Sequence, residues 1–127
     1  MDLDHAGIAT ADAVATAALF SDLLDTDVVH EESLDGLDVA FLDVGGTFLE
    51  LLEPTGDGPI ATYLERERPG IHHLAFRTDD AAAAIERAQS LGIEAIDEEP
   101  RPGAWGHDVA FLHPSDTGGV LVEFVEH

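Results

Sequence analysis

Apolar and polar positions in the first half of the chain predict one amphipathic helix among four strands. Apolar residues recur at helical spacing from 13 to 24, and Thr10 or Asp12 is placed to cap that helix. Alternating or continuous apolar runs predict strands at 3–9, 28–31, 37–44 and 47–52. Gly45 and Gly46 are typical of the tight turn between the last two strands. The predicted order is therefore β-α-β-β-β.

The second half repeats this order after a turn-rich linker at 54–58 and a short helix that begins at Pro59. The pattern predicts a helix from a cap at Asp79 or Asp80 to a stop at Gly92. Strands are predicted at 71–78, 93–96, 109–112 and 120–125, and the Gly- and Pro-rich stretch 100–106 is predicted to be irregular. The sequence thus predicts a single α+β domain over 1–127, made of two tandem βαβββ modules. Their bounds are about 1–53 and 70–127, joined by a linker and short helix at 54–69.

A repeated unit brings equivalent positions together, and here those positions carry chemistry. The string Val-Ala-Phe-Leu occurs in both halves, at 39–42 and at 109–112, at nearly the same distance after a histidine. The equivalent residues are His5 and His73 at the start of each half, and Glu50 and Glu123 in its last strand. Two imidazoles and two carboxylates suit a divalent metal ion.

The two carboxylates lie in apolar surroundings. Leu flanks Glu50 on both sides, and Glu123 follows Val122 and precedes Phe124. A buried carboxylate is unfavourable unless its charge is compensated, and a bound cation supplies that compensation. Strand alternation places His5 and His73 on the face away from the predicted helices. Arg77 shares that face, where it can meet either an anionic group of a ligand or one of the chain's many acids.

The charge balance narrows the classes of partner. The chain has 27 acidic and 5 basic residues, a net charge of −22, and its hydrophobic fraction of 45% is normal for a folded domain. An acidic surface over a normal core indicates adaptation to high salt, which screens the repulsion. Nucleic acid is not expected as a partner, because the chain has no basic stripe. The absence of Cys excludes disulfides and thiolate ligands, and neither a signal peptide nor a membrane span is recognised, so a cytoplasmic location is expected.

Seven short strings, spread over nearly the whole chain, resemble the vicinal oxygen chelate superfamily and within it the methylmalonyl-CoA epimerases. These strings are Asp4-His-Ala-Gly-Ile-Ala9, Phe48-Leu-Glu-Leu-Leu-Glu-Pro54, Gly58-Pro-Ile-Ala61, Gly70-Ile-His-His-Leu-Ala75, Gly103-Ala-Trp-Gly-His107, Phe111-Leu-His-Pro114 and Gly118-Gly-Val-Leu-Val-Glu-Phe124. The resemblance implies a curved mixed sheet with helices outside. It implies that His5, Glu50, His73 and Glu123 are the ligands of one divalent metal ion. The candidate metals are cobalt, nickel, zinc, manganese and magnesium. It further implies a CoA thioester substrate and a homodimer.

For such an enzyme, the resemblance implies interconversion of (R)- and (S)-methylmalonyl-CoA by removal of the α-proton through a metal-stabilised enolate, with Glu123 as one catalytic base. The chain departs from the family at a second base. Where relatives often carry Glu, two residues before the glycine that opens the third strand, this chain has Leu34, followed by Asp35. Asp35, Glu32, Glu50 or a water molecule is left as the second base.

Three other functions share this fold. A glyoxalase I-like isomerase uses a similar ligand set for the same proton chemistry on a hemithioacetal. A non-enzymatic binder of small molecules is the second alternative. Such a binder does not need metal ligands, so the presence of all four argues against it. An extradiol dioxygenase uses only two His and one carboxylate on iron, and Glu50 is then in excess.

Overall fold

The computed structural model describes the whole chain, residues 1–127. Its helices and strands are β1 (Asp2–Ala9), α1 (Ala13–Leu24), β2 (Val28–Leu34), β3 (Leu37–Val44), β4 (Thr47–Pro54), α2 (Pro59–Arg66), β5 (Gly70–Arg77), α3 (Ala81–Ser90), β6 (Arg101–Pro102), β7 (Asp108–Phe111) and β8 (Val122–Glu126). No helix is both long enough and apolar enough to cross a membrane.

The chain forms two compact units. The first unit comprises His5–His72, and the second comprises Met1–Asp4 together with His73–His127. In the first unit the strand order is β2-β3-β4-β1, with antiparallel β2–β3 and β3–β4 pairs and a parallel β4–β1 pair. In the second unit the order is β5-β8-β7-β6, with a parallel β5–β8 pair followed by antiparallel pairs. The same mixed arrangement thus occurs twice, which confirms the predicted βαβββ repeat.

Helix α1 packs on one face of the first unit's sheet. Ala13 and Ala17 of the helix contact Ala40, Leu42 and Leu51 of the strands. The helix begins where the sequence predicts, because the Asp12 side chain accepts a hydrogen bond from the Ala15 amide. The Glu53 carboxylate, from β4, accepts a second bond at 2.7 Å from the Ala13 amide. Sheet and helix are therefore joined at the helix N-terminus, where a negative charge is favourable.

Helix α3 repeats this arrangement in the second unit. Asp80 caps it through the Ala83 amide, and the Glu126 carboxylate from β8 accepts a bond from the Ala81 amide at 2.7 Å. Ile85 of the helix packs against a cluster that includes Phe124. Glu126 follows Glu123 by three residues, as Glu53 follows Glu50. The duplication therefore extends to the contacts that hold each helix on its sheet.

The prediction for the sixth strand is wrong. Residues 93–96 form no strand, and only Ala95 makes an isolated bridge, to Leu112. The sixth strand is Arg101–Pro102, within the stretch predicted to be irregular, and a single 3-10 turn follows at Ala104–Gly106. A Cβ on Gly103 would lie 2.8 Å from the Val109 side chain. Glycine is thus needed here because β6 approaches β7 closely, and its role is packing.

We expect Leu51→Ala to lower the free energy of unfolding by about 2–5 kcal/mol, because it leaves a cavity under α1. Leu51 is 0% exposed, whereas Leu23 on the outer side of α1 is 68% exposed, so Leu23→Ala is the matched control and should change stability little. Denaturant unfolding of both variants measures the difference. Equal effects of the two substitutions would contradict this account of the core.

Candidate metal centre

His5 and Glu50 form a buried pair in the first unit. Glu50 of β4 lies opposite Gly7 of β1, so His5 is two residues away along β1, on the same face of the sheet. His5 Nε2 and Glu50 Oε1 are 3.3 Å apart. Both side chains are buried. The parallel β1–β4 register therefore sets this pair.

His73 and Glu123 form the equivalent pair in the second unit. Glu123 of β8 lies opposite Ala75 of β5, again two residues beyond the histidine. His73 Nε2 and Glu123 Oε1 are 3.6 Å apart, and both side chains are buried. The two parallel strand pairs thus produce the same diagonal His–Glu arrangement.

A phenylalanine contacts each of these histidines. Phe41 lies opposite Glu50 on β3, and its ring meets the His5 ring edge to face at 5.7 Å. Phe111 lies opposite Glu123 on β7, and its ring meets the His73 ring in the same way at 5.4 Å. These rings limit the rotation of the imidazoles and exclude water beside them. The sequence identifies both as members of the repeated Val-Ala-Phe-Leu string, but not this contact.

The donor atoms in each pair fit a metal ion. Two donors bound to one ion at about 2.1 Å lie about 3.0–3.4 Å apart in octahedral or tetrahedral geometry. The separation in the first pair falls in this range, and that in the second pair exceeds it slightly. At 3.6 Å the second pair is also too long for a hydrogen bond. Buried imidazole nitrogens and carboxylate oxygens of this kind are suitable ligands for a divalent metal ion.

Arg77 pairs with an acidic side chain of its own chain. Its Nε and Nη2 atoms donate to Asp4 Oδ1 at 2.9 and 2.8 Å, and His127 Nε2 lies 2.6 Å from the same oxygen. Asp4 is buried, and the Arg77 guanidinium compensates its charge. Of the two roles open to Arg77, the structure therefore supports pairing with an acid. Asp4 was not recognised from the sequence, although it lies next to His5.

Asp35 occupies the tip of the β2–β3 hairpin. Its φ of 49° and the φ of 75° at Gly36 are both left-handed, as the two central positions of a type I′ turn require. The Asp35 side chain is exposed. The geometry of the hairpin turn thus explains why Asp and Gly occupy positions 35 and 36.

Residues 4–111 match the Glyoxalase/Bleomycin resistance protein/Dioxygenase superfamily. The chain belongs to this superfamily. Its relatives there include uncharacterized protein YqjC of Bacillus subtilis, which is 35% identical over 98% of this chain and 91% of the relative. The ethylmalonyl-CoA/methylmalonyl-CoA epimerase of Cereibacter sphaeroides is 40% identical over 95% of this chain and 94% of its own length.

Among solved structures of the superfamily, one similar chain is a variant methylmalonyl-CoA epimerase of Streptomyces coelicolor in complex with 2-nitronate-propionyl-CoA. It has a TM-score of 0.94 and 35% identity, and the match covers 99% of this chain and 94% of that one. The chain is thus a superfamily member close to methylmalonyl-CoA epimerases over its full length, and the α+β fold expected from the resemblance is confirmed.

Proposed function

We propose that this protein is a metal-dependent epimerase that interconverts (R)- and (S)-methylmalonyl-CoA. The observation that carries the proposal is the pair of buried His–Glu arrangements, whose donor atoms lie 3.3 and 3.6 Å apart, within or slightly above the range for two ligands of one ion. It occurs in a chain that is 40% identical to an epimerase of this substrate class. The resemblance to a protein that holds a CoA thioester supports a substrate of the same kind.

We further propose that His5, Glu50, His73 and Glu123 bind one divalent metal ion together. The internal repeat supports this, because each half supplies one imidazole and one carboxylate at equivalent positions. When bound, such an ion polarises the thioester carbonyl as a Lewis acid and so lowers the barrier to loss of the α-proton. Elemental analysis of the purified protein identifies which of cobalt, nickel, zinc, manganese and magnesium is bound.

The chain's own residues move the proton. The Glu123 carboxylate is a candidate base because it has two oxygens, one of which lies towards His73 Nε2. Phe111 packs beside this pair and keeps water away from it. Glu123 is thus proposed to remove the α-proton of one epimer, or to return a proton to that side of the α-carbon in the reverse direction.

A panel of substrates tests the proposed function. Protein loaded with each candidate metal is incubated with methylmalonyl-CoA, with ethylmalonyl-CoA, and with the hemithioacetal of methylglyoxal and glutathione. We expect metal-dependent epimerisation of methylmalonyl-CoA and no isomerisation of the hemithioacetal. The opposite selectivity would assign the chain to the glyoxalase I type, and metal-dependent melting without any turnover would favour a binding protein.

The net charge of −22 leads to a prediction about salt. We propose adaptation to high salt, because close like charges repel less as the Debye length falls from ~10 Å at 0.1 M to ~3 Å at 1 M. The melting temperature should therefore rise by several degrees as KCl increases over this range. An unchanged melting temperature would contradict the proposed adaptation.

Three expectations from the sequence stay predictions. They are the homodimer, the cytoplasmic location, and Asp35 as the second catalytic base. Sedimentation measures the first and fractionation of cells the second. Exchange of the α-proton from each epimer by Asp35→Asn tests the third.

A further inference from the structure

We propose that Glu32 is the second acid–base residue of the epimerisation, oriented by His30. The inference rests on the proposed function and names a residue of this chain that acts on the other side of the substrate's α-carbon from Glu123. It is carried by the position of Glu32 on the first unit's sheet, by its contact with His30 and by its exposure.

Epimerisation needs two proton-transfer groups. The carboxylate of Glu32 takes the α-hydrogen as a proton, and the electron pair of the broken C–H bond passes into the thioester unit. The protonated Glu123 carboxyl then gives its proton to the opposite side of the α-carbon, where a new C–H bond forms. Proton exchange with water then restores the Glu32 carboxylate and the protonated Glu123, and no oxidant or further reactant is needed.

Glu32 lies on the same face of the first unit's sheet as Glu50. Glu32 pairs with Val39, which in turn pairs with Leu52, two residues from Glu50 on β4. Directly paired residues of antiparallel strands project to the same side, so the side chains of Glu32 and Glu50 share a face. With strands ~4.8 Å apart and a rise of ~3.3 Å per residue, their Cα atoms are about 12 Å apart. That gap leaves room for a small acyl group between the two side chains.

His30 holds the Glu32 carboxylate on this face. His30 Nε2 and Glu32 Oε1 are 3.1 Å apart, and the His30 ring also contacts the Phe41 ring at 6.1 Å. Phe41 is the residue that packs against His5. Contacts within the first unit therefore connect Glu32 through His30 and Phe41 to His5 of the candidate metal centre.

Glu32 is also more accessible than Glu50. Its side chain is 26% exposed, against 7% for Glu50. A bound substrate can therefore contact the Glu32 carboxylate without displacing a proposed metal ligand.

The acidic residues of these strands other than Glu32 and Glu50 are engaged elsewhere. Asp43, at the far end of β3, accepts a bond from the Gly46 amide. Glu31 pairs with Ala40, which packs against α1, so Glu31 lies on the opposite face. Asp38 accepts a bond from Ser33, and Glu53 accepts one from the Ala13 amide. Leu34 shares the face of Glu32 but has no group that can transfer a proton. The position at which relatives often carry Glu therefore has no acid in this chain. Glu32, two residues earlier on β2, supplies a carboxylate on the same face.

The test follows exchange of the α-proton into deuterated water separately from each epimer. Glu32→Gln should keep its metal content and fold, while exchange from one epimer falls about 10²–10⁴-fold. Exchange from the other epimer should continue through Glu123. Glu31→Gln is the matched control, because it removes the neighbouring charge from the opposite face, and it should behave as the wild type. Glu32→Asp, a second variant, should show a smaller loss confined to the same epimer.

His30 is tested as a positioning residue. His30→Gln should lower α-proton exchange from the same epimer that Glu32→Gln affects and leave KM nearly unchanged. A purely structural role of His30 would instead lower exchange from both epimers together.

The outcomes separate this proposal from the proposed function. If the wild type does not epimerise methylmalonyl-CoA with any metal, the proposed function itself fails. If the wild type is active and Glu32→Gln exchanges both epimers normally, the assignment of Glu32 alone is overturned. An epimer-selective loss in Asp35→Asn, with Glu32→Gln unaffected, would instead assign the second base to the hairpin tip.

Discussion

We expect His73→Ala to lower metal affinity more than about 100-fold, since loss even of a group that supports a ligand costs 10–100-fold. Without the metal ion, several kcal/mol of stabilisation of the developing charge are lost, which corresponds to a fall in kcat/KM of at least about 1000-fold. Metal analysis after dialysis and an epimerisation assay measure the two effects. The metal-induced rise in melting temperature should disappear with them.

His72→Ala is the matched control for this variant. His72 is the preceding residue of β5, on the opposite face, and its ring packs against Tyr63 at 5.0 Å. It should retain metal and activity. If His73→Ala holds metal as the wild type does, the candidate metal centre is wrong, whatever the activity.

We expect Glu123→Gln to lower α-proton exchange from one epimer about 10²–10⁴-fold, since the amide keeps an oxygen for the metal but cannot take a proton. Exchange from the other epimer should persist. Glu32→Gln should affect that other epimer, so the two variants should have opposite selectivity. The measurement is proton NMR of each epimer in deuterated water, with metal content determined on the same sample. Equal loss for both epimers would indicate a damaged metal site, and undiminished exchange would remove Glu123 from the mechanism.

The internal repeat made much of the candidate centre predictable. His5 and His73 open the two halves and Glu50 and Glu123 close them, and a duplicated fold places equivalent residues alike. The structure bears this out within each unit, where each Glu lies opposite the residue two beyond its His. The helix caps at Asp12 and Asp80 were predictable as well, since capping depends on local sequence.

The sixth strand was not predictable from local pattern. The apolar positions at 93–96 suggest a strand, but Ile93 instead packs against the cluster under α3. The pairing that forms β6 depends on close approach of Gly103 to the Val109 side chain of β7, a packing contact that the pattern of apolar and polar positions does not show. Glycine in such a place has the same local signature as glycine in an irregular loop.

The length of β2 had a direct effect on the functional interpretation. The sequence predicts that this strand ends at residue 31, because the polar run that follows has low strand propensity. Pairing with the apolar β3 extends it to Leu34 and so fixes the face on which Glu32 lies. The length of β2 is set by its hydrogen-bonded pairing with β3, which cannot be inferred from the sequence of β2 alone.

The most direct test of the account is the conversion of a single epimer of methylmalonyl-CoA by the wild-type protein in high-salt deuterated water. The protein is stripped with a chelator, assayed, reloaded with one divalent metal at a time, and assayed again. We predict negligible conversion by the stripped protein, and conversion to an epimeric mixture with deuterium at the α-carbon after reloading, with one metal ion per chain. Conversion that is independent of metal, or its absence with every metal although the metal binds, would contradict the account.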